Sequence, residues 1–141
     1  RIAGESARMN AAFIRIGLGA CDIGSSYFLP RIVGSSVASE LLLTGNFIEA
    51  PRALQTGLVS RVVPDAELER AGREMGEAIL RNSPVGVRLT KDCLNWSVDA
   101  PTPEAAIAVE DRNQIRASQS GDFREGVRAF LEKRPPKYSG D

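Results

Sequence analysis

The sequence predicts an α/β chain that is mostly α in its length, with its few strands near the beginning, and three observations lead there. Residues 1–18 carry only short apolar stretches, Ile2-Ala3, Ala11-Ala12-Phe13 and Ile14-Arg15-Ile16, separated by Gly4, Asn10 and Gly17, a pattern that suits two or three brief strands or turns. From Gly24 onward the apolar residues recur at three-to-four spacing, the period of a helix with one buried face. Those periodic windows are punctuated by glycine, proline and small hydroxyl residues at the places where helices stop and start. Two or three short strands cannot make an independent sheet with both faces covered, so the β part reads as incomplete.

In order along the chain, Gly24 to Val33 is predicted helical with Gly34 as its stop, and Pro30 implies a kink or the first turn of a second short piece. Ser35 or Ser36 is the expected cap of the next helix, which carries Val37, Leu41 and Leu42 on one face and ends at Gly45. Pro51 fits the first turn of a short helix ending at Gly57, before the apolar stretches Leu58-Val59 and Val62-Val63. Asp65 opens the clearest helix: Leu68, Ala71, Met75, Ala78 and Ile79 form one stripe, Glu67, Glu69, Arg70, Arg73 and Glu77 lie elsewhere, and Asn82-Ser83-Pro84 ends it. Pro84 starts a further helix closing near Asp99-Ala100-Pro101, and Thr102-Pro103-Glu104 begins another running towards Ser120-Gly121. The last helix sets Phe123, Val127, Phe130 and Leu131 on one face before Arg134-Pro135-Pro136 breaks it. Two regions follow from this order, residues 1–64 with the strands and residues 65–141 with the long helices.

Composition narrows the function classes. The 141 residues are 43% hydrophobic and 26% charged, which suits a globular domain and not a disordered one. Lysine plus arginine number 18, as do aspartate plus glutamate, and the basic residues are scattered, so nucleic acid is not an expected partner. There is no histidine. That excludes Ser-His, Cys-His and histidine-ligated metal chemistry built from this chain alone, no metal site is expected, and any acid or base must be Asp, Glu, Lys, Tyr or Cys. Cys21 and Cys93 lack a C-x-x-C pattern and read as reduced thiols of a cytoplasmic protein. No apolar run approaches the 18 or more residues of a membrane span. The sequence opens at Arg1-Ile2-Ala3 without a methionine, which leads to the expectation of a further N-terminal portion that is removed, separately encoded or outside this sequence.

The string Leu41-Leu42-Leu43-Thr44-Gly45, followed by Ile48-Glu49-Ala50, Ala53-Leu54, Gly57-Leu58-Val59 and Val62-Val63-Pro64, resembles the signature after the active-site helix of the crotonase superfamily, the enoyl-CoA hydratase/isomerase family. Asn82-Ser83-Pro84 with Lys91, and then Gly121-Asp122-Phe123 through Glu125-Gly126 to Ala129-Phe130-Leu131-Glu132-Lys133-Arg134-Pro135, are similar to that family's C-terminal helices. The resemblance covers nearly all of Arg1 to Tyr138, and the order and spacing of the pieces make it specific. It implies that residues 1–64 are the end of a spiral of ββα units and that residues 65–141 are a helical C-terminal region that helps assemble trimers or hexamers near coenzyme A. It implies acyl-CoA thioesters as ligands, with no further cofactor. It also implies an oxyanion hole of two backbone N–H groups, the usual device for holding a thioester oxygen as charge builds on it, and places both donors upstream of Arg1. The chain then reads as the part that closes and assembles the site, without the part that defines it.

The departures from the family pattern fall in Ile16 to Ser26. Typical hydratases resemble one another in a Pro-Glu a few residues before Gly-Leu, and aligning on Gly17-Leu18 puts Phe13 where that glutamate stands. Losing one of two paired carboxylates costs much of the acid/base contribution, about 10²–10⁴-fold. Asp22 falls where a dienoyl-CoA isomerase-like member has an aspartate, so it is the candidate proton-shuttling carboxylate; as a residue type just before a helix it reads equally as a cap. Phe13 is either core packing or, with Leu18, an apolar wall beside the acyl chain. Phe130 and Lys133 resemble the Phe-x-x-Lys ending that approaches the adenine and phosphates of coenzyme A, and a lysine is a fitting point charge for phosphate; the other reading is a solvated basic tail with Arg134 and Lys137. Cys21 reads as an inert thiol, and Tyr27 and Trp96 as packing residues.

Two functions are expected from these residues. The first is the C-terminal segment of a divergent acyl-CoA-processing hydratase or isomerase, inactive without a chain supplying the other half; the second is a noncatalytic helical module that oligomerises or grips coenzyme A. Both predict more exposed apolar surface than a monomer tolerates.

Overall fold

The computed structural model describes all of residues 1–141. The chain divides into two compact units, Arg1–Glu74 and Met75–Asp141, each described here by itself.

In the first unit strand β1 (Ile2–Gly4) pairs in parallel with β4 (Arg61–Val63), with Ala3 opposite Val62. Strand β2 (Arg8–Met9) pairs antiparallel with β3 (Ile48–Glu49), with Met9 opposite Ile48. Both sheets have two strands, so every strand has a neighbour on one side only. Between them lie α1 (Ser25–Val33), α2 (Ser35–Thr44) and α3 (Ala50–Gln55). The core gathers one or two residues from each element: Ala3, Leu41, Ile48, Ala53 and Val59 are buried, with Met9, Leu29 and Leu58 packed against them. Asp65 fastens the turn that follows β1. Its carboxylate accepts the Ser6 N–H at 3.1 Å, the Ser6 hydroxyl and N–H hold its carboxyl below the ordinary value, and Gly4 is a glycine because any side chain there would collide with it.

Several local outcomes differ from the sequence reading. The stretch allowed as strand or turn after Asn10 is a 3-10 helix over Ala12–Ile16, since no strand lies alongside to pair with it. Pro30 sits inside a single continuous α1 and starts no second piece. Neither Ser35 nor Ser36 caps α2. Gly34 is at once the last residue of the α1 terminus and the N-cap of α2, at φ 80° and ψ 157°, a one-residue corner in a conformation open only to glycine. Gly45 closes α2 as predicted, left-handed at φ 62° with its N–H on Leu41 O at 3.0 Å. The helix begun at Asp65 takes a 3-10 turn over Asp65–Glu67 before α4 (Leu68–Leu80), in which the predicted apolar stripe is largely open: Ala71 is buried, but Leu68, Met75 and Ile79 are exposed.

The second unit holds α5 (Pro84–Ser97), α6 (Pro103–Ser118) and α7 (Gly121–Leu131), followed by a tail of residues 132–141. Each helix has a hydroxyl cap: Ser83 on Gly86 N–H, Thr102 on Ala105 N–H and Ser120 on Phe123 N–H, which satisfies one of the free donors at each start. Helices α5 and α6 pack through Leu89 and the buried Asn113, whose amide donates to Leu89 O at 3.3 Å.

The tail is tied down by two carboxylates. Asp122, 1% exposed, accepts the Ser83 hydroxyl at 2.7 Å and the Ser139 and Gly140 N–H groups at 3.0 Å each. Burial opposes its charge, but these donors outweigh burial and hold the carboxyl below its usual value. Glu125 accepts Arg134 through both terminal nitrogens, at 2.6 and 3.1 Å, and the Lys137 N–H at 2.8 Å. The Arg134 guanidinium holds the Glu125 carboxyl down to about 2.

Candidate functional site

The first group of candidate residues lies on the loop between the 3-10 helix and α1. Gly17 ends the 3-10 helix at φ 84° and turns the chain back, so that the Leu18 N–H donates to Phe13 O at 3.1 Å. The sequence candidates Phe13 and Leu18 are thereby brought together, both with exposed side chains at 42% and 57%. Phe13 is thus not a fully buried core residue.

Asp22 follows in a tight knot built on Ser25. The Asp22 N–H donates to Ser25 Oγ at 3.1 Å, the Asp22 carbonyl accepts the Ser25 N–H at 2.9 Å, and the Ser25 hydroxyl donates to Ala20 O at 3.0 Å. The carboxylate is exposed and takes one short-range bond, from the Ile23 N–H to Oδ1 at 2.9 Å. It does not cap α1. The N-cap is Gly24, at φ 87°, preceded by Ile23 at φ 44°, and with two successive left-handed residues between it and the helix the Asp22 carboxylate bonds to none of the N–H groups of α1. A β-branched residue at positive φ is a costly conformation, and no local pattern in the residues around Ile23 announces it. Cys21, beside Asp22, is an exposed free thiol. Tyr27 stacks under the Arg31 guanidinium at 3.7 Å from its ring centre.

The second group lies at the end of α7. Lys133 adopts φ 53°, its N–H donates to Phe130 O at 3.2 Å, and the Arg134 N–H reaches back to Ala129 O at 3.0 Å. This pair of bonds is a Schellman C-cap, a place normally taken by glycine. The cap throws the Lys133 side chain outward, exposed, next to Phe130 at 82% exposure. Phe130 in turn lines an open, mainly apolar cavity of ≈ 420 Å³ with Phe123, Val127, Leu131 and Tyr138. Asp122 is also among the residues around that cavity and was not singled out as a site or anchor from the sequence; its partners lie 39 residues back and 17 and 18 residues on, beyond any local pattern. No trio of carboxylates or cysteines is grouped to hold a metal ion, and no helix is long and apolar enough to cross a membrane.

A unit of short strands and helices carrying the Asp22 loop, and a helical unit carrying Phe130 and Lys133, can be set beside known proteins. The sequence profile described as enoyl-CoA hydratase/isomerase matches residues 1–141. A probable enoyl-CoA hydratase of Rhodobacter capsulatus is 40% identical over 139 residues, covering 99% of this chain and 53% of its own. The 1,2-epoxyphenylacetyl-CoA isomerase of Escherichia coli is 34% identical over 139 residues, covering 99% of this chain and 52% of its own. Among solved structures, the enoyl-CoA hydratase of Bacillus anthracis superposes with a TM-score of 0.95 at 34% identity, covering 100% of this chain and 54% of that one. The chain belongs to the enoyl-CoA hydratase/isomerase family and has its crotonase fold. It spans about half the length of the curated relatives it matches.

Proposed function

We propose that this chain is the C-terminal segment of a divergent hydratase or isomerase acting on acyl-CoA, that Asp22 is its proton-shuttling carboxylate, and that it turns over substrate only when joined to the other half of the family fold. The observation that carries this reading is the Asp22 carboxylate, which is exposed and not consumed in capping α1. A carboxylate with a free oxygen can take and return a proton at a substrate carbon, whereas one bonded to helix N–H groups is committed to structure. Phe13 and Leu18 form an apolar wall suited to an acyl chain. Phe130 offers an aromatic face and Lys133 an ammonium, the pair of groups an adenine and a phosphate would use. The reaction needs no metal or further cofactor on this account, and the thioester is the substrate.

The test is turnover of crotonyl-CoA, followed by loss of the enoyl thioester absorbance, for the chain alone and with the remaining half of a relative supplied in trans. The chain alone is expected to be inactive and the pair active, and Asp22→Asn is expected to cut kcat about 10²–10⁴-fold with KM little changed. An Asp22→Asn pair as fast as the parent pair would sink the assignment.

One observation favours a noncatalytic reading as well, a helical module that oligomerises or binds coenzyme A without changing it. The α7 face of Phe123, Val127, Phe130 and Leu131 is exposed along its length, which suits a contact surface. Coenzyme A binding or a defined oligomer, with no turnover in any combination, would make this reading the better one.

A further inference from the structure

Ser25 is the joint of the loop that carries Asp22. Its hydroxyl is used in both directions, donating to Ala20 O at 3.0 Å and accepting the Asp22 N–H at 3.1 Å. Its own N–H closes a turn on Asp22 O at 2.9 Å. Ala20 is buried, so the hydroxyl ties the segment before Asp22 to the first residue of α1 at a fixed point. Both central residues of the turn, Ile23 and Gly24, are left-handed at φ 44° and 87°, a turn that asparagine, aspartate and glycine ordinarily fill. A side chain on Gly24 would meet the Phe28 ring at 3.0 Å, so the turn also lies close against α1. Ile23 is 91% exposed, and packing within this unit does little to offset its left-handed backbone.

We infer that Ser25 is a positioning residue for the Asp22 carboxylate, an inference that rests on the functional reading of Asp22 above. The carboxylate has one fixed oxygen, Oδ1, which accepts the Ile23 N–H at 2.9 Å. That N–H reaches Oδ1 from inside the turn, and Ser25 holds the turn closed by taking both the carbonyl and the N–H of Asp22. Without the hydroxyl, Asp22 keeps its side chain but loses the link from its N–H to the Ala20 carbonyl, and the cost of a left-handed isoleucine then favours opening the turn. A reacting group misplaced by about 1 Å loses rate steeply, whereas one held in place beforehand needs no ordering at the moment of reaction. Ser25 touches no reacting atom on this account and acts through Asp22.

The first measurement is amide hydrogen exchange by NMR on this chain. The Asp22 and Ile23 N–H groups are expected to be protected, Ser25→Ala to speed the exchange of both about tenfold, and Ser25→Thr, which keeps the hydroxyl, to restore it. Unprotected amides in the parent overturn the inference, since there is then no fixed loop to hold. The second measurement is turnover of crotonyl-CoA by the chain paired with the remaining half of a relative. S25A is expected to lower kcat about tenfold with KM within about twofold, S25T to recover most of the loss, and S25A to add nothing once Asp22 is replaced in D22N. A loss of the same size in the D22N background overturns the inference, because a residue that only supports the fold slows whatever turnover remains. S25A as fast as the parent while D22N is slow also overturns it and leaves the reading of Asp22 standing. D22N as fast as the parent, or a pair that turns nothing over, removes the reading of Asp22 and the role of Ser25 with it. Circular dichroism checks that α1 survives; if S25A loses helix, S25C, close in size and a poor hydrogen-bonding group, replaces it with the same expectations.

Discussion

Lys133 separates stability from function in one substitution. It is a non-glycine residue held at φ 53° in the C-cap of α7, with its N–H on Phe130 O and the following N–H on Ala129 O. For an L-residue the left-handed region costs about 1–2 kcal/mol. Glycine escapes that cost but enlarges the unfolded ensemble, which returns about 0.4–1 kcal/mol. Lys133→Gly is therefore expected to stabilise the protein by about 0.5–1 kcal/mol, while Lys133→Ala, which keeps the strain, changes stability by less than about 0.5 kcal/mol. Urea denaturation monitored by circular dichroism resolves the two, as a rise in midpoint at constant slope for the glycine variant alone. If the ammonium also holds a phosphate of coenzyme A, both variants weaken binding by calorimetric titration, so that glycine strengthens the fold and weakens the ligand together. A glycine variant no more stable than the alanine variant would refute the reasoning, because it would mean that the cap is not strained by its side chain.

Two further outcomes follow from the fold. Glu125, held down to about 2 by Arg134 against an unfolded value of 4.5, lends stability that is complete above pH 4.5 and is lost as the pH falls towards 2; Glu125→Gln should flatten the acid limb of a pH–stability curve measured by thermal melts, and an unchanged limb would place acid sensitivity elsewhere. Gly45→Ala forces a side chain into φ 62° and sets a methyl 2.7 Å from Ile14 Cγ2; a loss of about 2 kcal/mol is expected in urea melts, and a neutral result would show that the 3-10 segment over residues 12–16 shifts freely.

The helices were legible because their ends are written in the sequence. Gly45, Pro51, Pro84 with Ser83, Thr102-Pro103 and Ser120 each mark a start or stop that the structure uses, since glycine, proline and hydroxyls act on the backbone within a few residues. Capping before α1 and α2 was not legible, because there the chain solves its geometry with consecutive left-handed residues at Ile23 and Gly24 and with a single glycine at Gly34. The role of Asp122 was hidden for a different reason: an acidic residue in the first turn of a helix reads as a favourable charge, and nothing local reveals that Ser83 and the tail converge on it. The apolar faces of α4 and α7 were visible as periodicity, but a stripe of leucines and phenylalanines does not say whether its cover belongs to the same chain. The loop candidates came from a family resemblance, and spacing alone would have offered Asp22 only as a cap.

The tail after α7 stores its instructions in distances more than in letters. Asp122 and Glu125 hold it chiefly through the N–H groups of Lys137, Ser139 and Gly140, which every residue except proline possesses. Side chains at positions 137 and 139 can therefore drift with little effect on the hold, whereas inserting or deleting one residue between Arg134 and Lys137 would shift all three backbone donors against their carboxylates at once. A segment of this kind can change its surface, and so what it meets outside, while the length between its anchors stays fixed.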